Sequence, residues 1–260
     1  MVSENKFQKI RSMKGKEKIV MLTSYDFVTA SYIKEAGIDL VLVGDSVGNV
    51  LLGYKNTLPV SMQDMIHHTR AVFRAGLDVP IIGDMPNGSY LAPEIAVENA
   101  KKFLDAGAGA VKVEGAVIDV VAHLRKNGVE VMGHVGLTPQ TISEWHVQGR
   151  GEPAAQKILS DAIALERAGC FSVVVESVPA GLGKKISQAL KVPTIGIGAG
   201  ADCDGQVLVI NDLLGLNAGD FRPKFVKQYL NMRPQVIGAL KEFKKDVKEK
   251  KFPAKENTYT

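Results

Sequence analysis

Acidic and basic side chains recur where apolar runs of the chain end, and their types suit metal-assisted proton transfer. The run DLVLV leads through Gly44 into Asp45 and Ser46, and several later apolar runs end in the same way. The full set is Asp45, Ser46, Asp84, Lys112, Glu114, His134 and Glu176. Carboxylates are hard oxygen ligands, and a carboxylate or an imidazole can accept a proton from a bound substrate. We therefore expect one site in which a cation, an anionic substrate and a base meet.

Asp45 and Ser46 alone leave two interpretations open. Asp and Ser are favoured residues at the start of a helix, so either side chain could cap the helix that follows. The alternative is a metal ligand beside a substrate contact. Recurrence of the pattern at the ends of other strands favours the second interpretation.

The residue types indicate a magnesium-like ion rather than zinc. Asp45 and Asp84 offer oxygen ligands, and the sequence has no cluster of Cys and His with zinc spacing. Lys112 and Glu114 are two residues apart on a predicted strand, so their side chains project to the same side. The lysine could bind an anionic substrate while the glutamate holds a water on the metal. The alternative is a buried Lys–Glu ion pair that only fills the interior of a barrel.

Glu176 is the candidate general base. It follows the apolar run FSVVV, which predicts a partly desolvated carboxylate suited to removing a proton. His134 could hydrogen-bond a substrate oxygen, or it could be a structural histidine with satisfied ring nitrogens.

Eight strand-then-helix units would position these residues. The predicted strands are 18–22, 40–43, 79–82, 110–113, 129–132, 171–175, 192–200 and 206–210. Their nearly continuous apolar character is typical of parallel strands covered by helices, so we predict a (β/α)8 TIM barrel. An open doubly wound sheet would carry a glycine-rich phosphate loop after its first strand, and Ser24–Phe27 is not one. In a barrel the active site lies at the carboxyl ends of the strands, where the seven residues fall.

The length of 260 residues suits a single domain over 1–260, with a barrel core of about 18–220. The polar leader is expected to form a short helix. Strand eight is expected to end at Asn211 and Asp212. A shorter helix is predicted over 184–190, and a helical extension over 223–251, interrupted at Pro234.

Composition excludes several classes of protein. The net charge of +4 owes much to the tail 241–255, whose lysines lack interleaved aromatics, so we predict a solvated helix face and no nucleic-acid binding. No apolar run is long enough to suggest a membrane span, and the N-terminus does not resemble a secretory signal, which predicts a cytoplasmic protein. Cys170 and Cys203 make neither a disulfide framework nor a zinc site.

The ordered motifs resemble one known family over nearly the whole chain. GDSVGN, TLPVSMQDMIHHTRAV, GDMPNGSY, AVKVEG, GHVGLTPQ, VVVESVP and IGIGAGADCDGQVLVINDLLG are similar to successive motifs of the ketopantoate hydroxymethyltransferase family. The resemblance implies transfer of a one-carbon unit from 5,10-methylenetetrahydrofolate to 3-methyl-2-oxobutanoate, giving 2-dehydropantoate on the route to pantothenate and coenzyme A. It also implies a homodecamer built from two pentameric rings.

Carried over to this sequence, the resemblance assigns a role to each candidate. Asp45 and Asp84 would bind Mg²⁺, with Glu114 contributing through water. Ser46 and Lys112 would hold the keto acid, and His134 would lie near it. Glu176 would remove the C3 proton. The stretches MPNGSYL and ISEWHVQGR depart from the family patterns and contain none of these residues, so they affect only the expected loop conformations and folate contacts.

Two rival functions remain. One is a lyase or mutase of the phosphoenolpyruvate mutase and isocitrate lyase type, which shares the expected barrel and a magnesium-bound keto acid. Such lyases carry a reactive cysteine loop, and neither Cys170 nor Cys203 lies in a matching motif. The other is a catalytically silent binding or assembly protein, which would have no need for a metal site and a base.

Overall fold

The computed structural model of the protein describes residues 3–141, 146–219 and 222–259, with side chains from Lys6 onward. Eight parallel strands form a closed barrel in sequence order, and β1 closes the ring by pairing with β8. The strands are β1 Ile19–Thr23, β2 Leu40–Val43, β3 Ile81–Asp84, β4 Ala110–Lys112, β5 Glu130–Gly136, β6 Ser172–Glu176, β7 Thr194–Ile197 and β8 Gly205–Leu208. The predicted TIM barrel is confirmed.

Helices precede, connect and follow the strands along the chain. They are α1 Ser3–Met13, α2 Phe27–Glu35, α3 Val47–Val50, α4 Met62–Phe73, α5 Pro93–Asp105, α6 Ile118–Lys126, α7 Glu152–Ala168, α8 Ala180–Ala189, α9 Ile210–Leu214 and α10 Met232–Lys248. Local signals explain several boundaries. Ser61 and Asp64 form a capping box at the start of α4, and Gly169 ends α7 in the left-handed conformation.

Several predicted elements differ in extent from the observed ones. Strand β3 is Ile81–Asp84 rather than 79–82, and β7 is Thr194–Ile197 rather than 192–200. Strand β5 runs on to Gly136, so His134 lies within a strand rather than beyond it. Strand β8 ends at Leu208, and Asn211 and Asp212 belong to α9 instead of following the strand. Helix α8 begins at Ala180, four residues before the predicted start at 184.

The predicted helix over 223–251 is wrong in its first part. Helix α10 begins at Met232, and Pro234 lies in its first turn rather than interrupting it. The amides of a first helical turn have no acceptor within the helix, so a proline is accommodated there without loss of a hydrogen bond.

The N-terminal helix closes the end of the barrel at which the strands begin, which we call the floor. Phe7, Ile10 and Met13 of α1 are buried in one cluster with residues of the strands. The ring of Phe7 packs edge-on against Phe171, with 4.9 Å between ring centroids. Lys14, just after α1, pairs with Asp204 at 2.7 Å. The N-terminal segment, which the sequence predicts only as a short helix, is therefore part of the barrel core.

The chain divides into two compact units, Met1–Val209 and Ile210–Thr260. The first holds all eight strands and helices α1 to α8, and the second holds α9 and α10. A single domain over 1–260 stays a prediction. No helix within the described ranges combines the length and the apolar character that crossing a membrane requires.

Candidate active site

All seven predicted residues lie at the carboxyl end of the barrel strands. Asp84, Lys112 and Glu176 are the last residues of β3, β4 and β6. Asp45 and Ser46 follow β2 within three residues, Glu114 follows β4, and His134 lies in the second half of β5. Because parallel strands all end on the same rim, residues far apart in sequence meet there.

Lys112 lies at the centre of the buried charges. Its Nζ donates to Asp84 Oδ1 at 2.8 Å and to Asp84 Oδ2 at 2.9 Å, and it lies 3.4 Å from Glu114 Oε1. Burial works to lower the pKa of Lys112, but the carboxylates of Asp84 and Glu114 raise it above its usual value. The lysine is therefore a fixed positive charge. The same-side placement of Lys112 and Glu114 is confirmed, and so is the ion pair that the alternative interpretation required.

Asp45 is held as an electrostatically unfavourable carboxylate. It is buried, and its Oδ2 accepts a hydrogen bond from Gln140 Nε2 at 2.8 Å. Its main-chain amide donates to Asp84 Oδ2 at 3.3 Å. Burial, followed by the negative charges of Asp84 and Glu114, raises the pKa of Asp45 well above its usual value. Burial also raises the pKa of Asp84, although Lys112 acts against the shift.

The helix-cap interpretation of Asp45 and Ser46 is wrong. Ser46 precedes α3 but makes no side-chain cap. Its hydroxyl instead lies 2.8 Å from the phenolic oxygen of Tyr25, a residue buried just after β1. Neither polar side chain is spent on satisfying the helix.

His134 connects two carboxylates. Its Nδ1 lies 3.1 Å from Glu114 Oε1, and its Nε2 lies 3.2 Å from Glu176 Oε2 without the alignment of a hydrogen bond. Burial and Lys112 work to lower the pKa of His134, but Glu114 and Glu176 raise it to about 9. The imidazole is therefore protonated at neutral pH. The ring thus lies between two carboxylates, one beside each nitrogen, and a substrate contact through Nε2 stays a prediction.

Glu176 is partly desolvated, as predicted, with 13% of its side chain exposed. The backbone around it is tightly constrained. Ser177, the next residue, has a φ of 48°, which is unusual for a residue with a side chain. A Cβ at Gly136, on the neighbouring strand, would lie 2.1 Å from the carbonyl oxygen of Glu176, so only glycine fits there. Backbone strain of this kind is concentrated at functional sites.

Two residues of the site escaped prediction from sequence. Gln140 is buried and contacts both Asp45 and Glu114. Tyr90 donates to Gln140 Oε1 at 2.6 Å and accepts from the Glu114 amide at 3.3 Å. Tyr90 belongs to MPNGSYL, so the expectation that this departing stretch affects only loops and folate contacts is wrong. Within the other departing stretch, residues 142–145 lie outside the described residues.

The donor set fits a hard divalent cation. If ionised, four carboxylates (Asp45, Asp84, Glu114 and Glu176) face two cations (Lys112 and His134), an excess of negative charge that a divalent ion would balance. Within the described ranges, no three Asp, Glu, His or Cys residues form a ready-made metal cage. An ion such as Mg²⁺ commonly takes one or two carboxylates and completes its shell with water and substrate. Asp84 already holds Lys112 with both oxygens, so an ion bound there competes with that lysine.

A cleft of about 660 Å³ opens beside the cluster. Its lining is mostly apolar and comes largely from the loops after β3 and β4; Tyr90, Leu91, Val117, Ile118 and Thr141 belong to it, and Glu114 borders it. Its volume lies within the range of ligand pockets, roughly 300–1,000 Å³.

Known sequences of one family match nearly the whole chain. A model of the family described as ketopantoate hydroxymethyltransferase matches residues 4–255. The chain is 50% identical over 258 residues to the 3-methyl-2-oxobutanoate hydroxymethyltransferase of Syntrophus aciditrophicus, covering 96% of this chain and 94% of that protein. It is 48% identical over 259 residues to the protein of the same name from Thermotoga maritima, covering 97% and 96%.

Solved structures with a similar fold are more distant in sequence. Phosphonopyruvate hydrolase matches with a TM-score of 0.65 at 13% identity, covering 98% of this chain and 92% of that chain. A 2,3-dimethylmalate lyase of the PEP mutase/isocitrate lyase superfamily matches with a TM-score of 0.62 at 14% identity, covering 99% and 92%. At these identities the likeness shows the barrel fold alone.

Proposed function

The chain belongs to the ketopantoate hydroxymethyltransferase family and is a transferase, and from that premise we propose that it converts 3-methyl-2-oxobutanoate to 2-dehydropantoate with 5,10-methylenetetrahydrofolate. This would be the first committed step towards pantothenate and coenzyme A. The observation that carries the proposal is the chain of charged contacts at the barrel rim, from Asp45 through Asp84, Lys112, Glu114 and His134 to Glu176. Its members are a cation site, an anion site and a base.

In the proposed site, Asp45 and Asp84 would hold Mg²⁺, with Glu114 contributing through water. Bound there, the ion would supply Lewis-acid stabilisation for negative charge developing on the keto-acid oxygens. Lys112 provides a buried positive charge for the substrate carboxylate, and the Ser46 hydroxyl, paired with Tyr25, provides a polar contact next to it. His134, protonated and with Nε2 available, can donate to a substrate oxygen.

Glu176 takes the base role in this proposal. Its carboxylate removes the C3 proton of the keto acid, and the electron pair moves onto the C2 carbonyl oxygen. The resulting enolate carbon then bonds to the one-carbon unit. Water supplies the hydroxyl oxygen of the product. Both carbon–nitrogen bonds of the folate methylene group break, and the C3 proton and the remaining water proton end on the two nitrogens of the tetrahydrofolate that leaves. His134 lies 3.2 Å from the Glu176 carboxylate and, being protonated, has no free nitrogen lone pair, so the C3 proton stays on Glu176 in this step.

The cleft of about 660 Å³ beside Glu114 is where we propose that the folate binds. The aminobenzoyl ring of a folate is flat and largely apolar, which suits walls that include Leu91, Val117 and Ile118. Leu91 is 83% exposed, so the cleft opens to solvent on one side, where the charged glutamate tail can remain hydrated.

Neither rival function is supported to the same degree. A lyase with a reactive cysteine needs an accessible thiolate, but both cysteines are buried and free. Burial raises the pKa of Cys170 to about 12 and also raises the pKa of Cys203. A silent binding protein would have no reason to maintain four clustered carboxylates whose repulsion costs stability. Buried free thiols also support the proposed cytoplasmic location.

A large homo-oligomer, the decamer of the family, is part of the same proposal. Helix α10 has no buried residues, and it exposes apolar side chains at helical spacing. They are Val236, Ile237, Leu240, Phe243 and Val247. An exposed apolar stripe of this length is typical of an interface between proteins. Light scattering tests the assembly, since a monomer would contradict it.

Proton exchange tests the proposed chemistry most directly. The purified protein with Mg²⁺ should exchange the C3 proton of 3-methyl-2-oxobutanoate for deuterium in deuterated water, because enolisation precedes the bond to the one-carbon unit. Loss of the C3 proton signal in NMR spectra is the expected result. An unchanged signal, with the protein folded and the metal bound, would overturn the enolate mechanism.

A further inference from the structure

Gln140 is the most connected uncharged side chain of the site. It is buried, and it lies in the loop after β5. Its Nε2 donates to Asp45 Oδ2 at 2.8 Å and to the Met85 carbonyl at 3.0 Å. Its main-chain amide donates to Glu114 Oε2 at 3.1 Å. One residue therefore contacts acidic side chains that follow two different strands, β2 and β4.

The orientation of the Gln140 amide is fixed by the chemistry of its partners. The Met85 carbonyl can only accept, so the group facing it must be the NH₂. The opposite atom, Oε1, accepts from the Tyr90 hydroxyl at 2.6 Å. Rotating the amide by 180° would place an oxygen against the Met85 carbonyl and an NH₂ against the donating hydroxyl. The amide therefore has one satisfactory orientation, the one that donates to Asp45.

Tyr90 completes a closed circuit of hydrogen bonds. Its oxygen accepts from the Glu114 main-chain amide at 3.3 Å and donates onward to Gln140. Gln140 returns to Glu114 through its own main-chain amide. Each donor in the circuit has one acceptor, so Asp45 and Glu114 are held at a fixed separation and orientation.

Asp45 differs from Asp84 in a way that depends on Gln140. Both oxygens of Asp84 bind Lys112. Asp45 uses only Oδ2, for Gln140, and within the described ranges no hydrogen bond reaches its Oδ1. A carboxylate that is oriented through one oxygen can bind a metal ion through the other.

We propose that Gln140 and Tyr90 form a positioning pair that fixes Asp45 and Glu114 for a divalent cation, and through it for the keto acid. Neither residue touches the reacting atoms; both act through the two carboxylates. The inference rests on the proposed function for its keto-acid part, whereas its cation part depends only on the geometry of the site.

Binding of Mn²⁺ to the metal-free protein, followed by electron paramagnetic resonance, separates positioning from folding. Gln140→Leu should raise the Kd for Mn²⁺ by about 10- to 100-fold, the effect expected when a partner that orients a ligand is lost. Tyr90→Phe should raise it less, because Gln140 can still reach Asp45. Both variants should raise KM for the keto acid. Gln140→Leu, whose side chain does not line the proposed folate cleft, should also leave KM for the folate unchanged.

Thr138→Val is the matched control. Thr138 is buried in the same loop, and its hydroxyl lies 2.7 Å from that of Thr141, but within the described ranges no hydrogen bond joins it to Asp45 or Glu114. This variant should lose some thermal stability and keep the wild-type Kd for Mn²⁺. If Gln140→Leu fails to fold by circular dichroism, Tyr90→Phe still decides, since it retains the ring.

Two outcomes would overturn the inference. One is a wild-type Kd for Mn²⁺ in a folded Gln140→Leu or Tyr90→Phe protein. The other is an equal loss of Mn²⁺ affinity in Thr138→Val, which would indicate a general loosening of the loop. Failure of the proposed function would show differently, as a wild-type protein that binds Mn²⁺ and produces no 2-dehydropantoate.

Discussion

The two ends of the barrel both bury carboxylates, but their surroundings shift the carboxylate pKa values in opposite directions. On the floor, Asp204 Oδ2 accepts from Lys14 at 2.7 Å, from Ser187 at 3.1 Å, and from the amide and hydroxyl of Thr194 at 2.9 Å each. Despite burial, which acts to raise it, these bonds hold the pKa of Asp204 below its usual value. At the other rim, Asp45 faces two further carboxylates and its pKa is raised.

The difference separates stability from function within one fold. A carboxylate with a lowered pKa stabilises the folded state at neutral pH, and one with a raised pKa destabilises it. The floor also closes over the apolar side chains of α1, whereas at the rim several carboxylates lie close together. The charges on the floor therefore stabilise the fold, and the unfavourable charges of the rim fit the role that we propose for them in the reaction.

Glu176→Gln should produce the largest change and sharpen this contrast. Loss of a general base lowers turnover by roughly 100- to 10,000-fold, while binding of Mg²⁺ and keto acid remains close to wild type. Steady-state kinetics and calorimetry measure the two effects.

Glu130→Gln is the matched control at the floor. Glu130 is 17% exposed, close to the 13% of Glu176, and pairs with Arg11 and Arg125 at 2.7 and 2.9 Å. Its loss should lower the melting temperature and leave kcat unchanged. Near-normal turnover of Glu176→Gln would remove that residue from the base role.

Asp204→Asn should destabilise the protein by about 1–3 kcal/mol at pH 7, because a charged acceptor of four hydrogen bonds is lost. The folded-state pKa of Asp204 lies below its unfolded value of about 3.9, so its contribution is present above that pH and disappears as the pH falls through the folded pKa. Urea unfolding between pH 7 and pH 3 should show the wild-type advantage shrinking in acid. An advantage that is the same at every pH would contradict the role of the charge.

Asp45→Asn should have the smallest effect and the opposite sign. In metal-free buffer at pH 7 the variant should be more stable by about 1 kcal/mol, or about 2–4 °C, because it removes a carboxylate that burial and its neighbours disfavour. The gain should diminish as the pH is lowered, since wild-type Asp45 then becomes protonated and also neutral. Differential scanning calorimetry measures both trends.

Magnesium provides the complementary test of Asp45. Addition of Mg²⁺ should raise the melting temperature of the wild type, because an ion that binds only the folded state stabilises that state. It should have little effect on Asp45→Asn, because the variant lacks one of the proposed metal ligands. If Asp45→Asn is less stable than the wild type in the absence of metal, the inferred difference between rim and floor is wrong.

Much of the fold could be predicted from the sequence because the barrel repeats one local rule. Each strand is an apolar run and most helices end at a glycine, so the sequence predicts all eight strands, although the ends of β3, β5, β7 and β8 differ by two or more residues from the predicted ones. The sequence does not show where α10 begins, because a proline can either interrupt a helix or lie in its first turn, as Pro234 does. Helix α1 gave no sign of its partner, since burial against Phe171 is a contact over more than 160 residues.

The sequence by itself determined which residues could form the site. Asp45, Asp84, Lys112, Glu114, His134 and Glu176 follow or end apolar strands, and parallel strands bring their carboxyl ends to one rim whatever the loops do. Only the tertiary structure decided how these groups are held: that His134 is a charged link between Glu114 and Glu176, that Ser46 pairs with Tyr25, and that Gln140 and Tyr90 orient the carboxylates. Strand periodicity is local and can be read from the chain, whereas hydrogen-bond partners in loops and the pKa values of buried groups depend on neighbours that folding alone brings within a few ångströms.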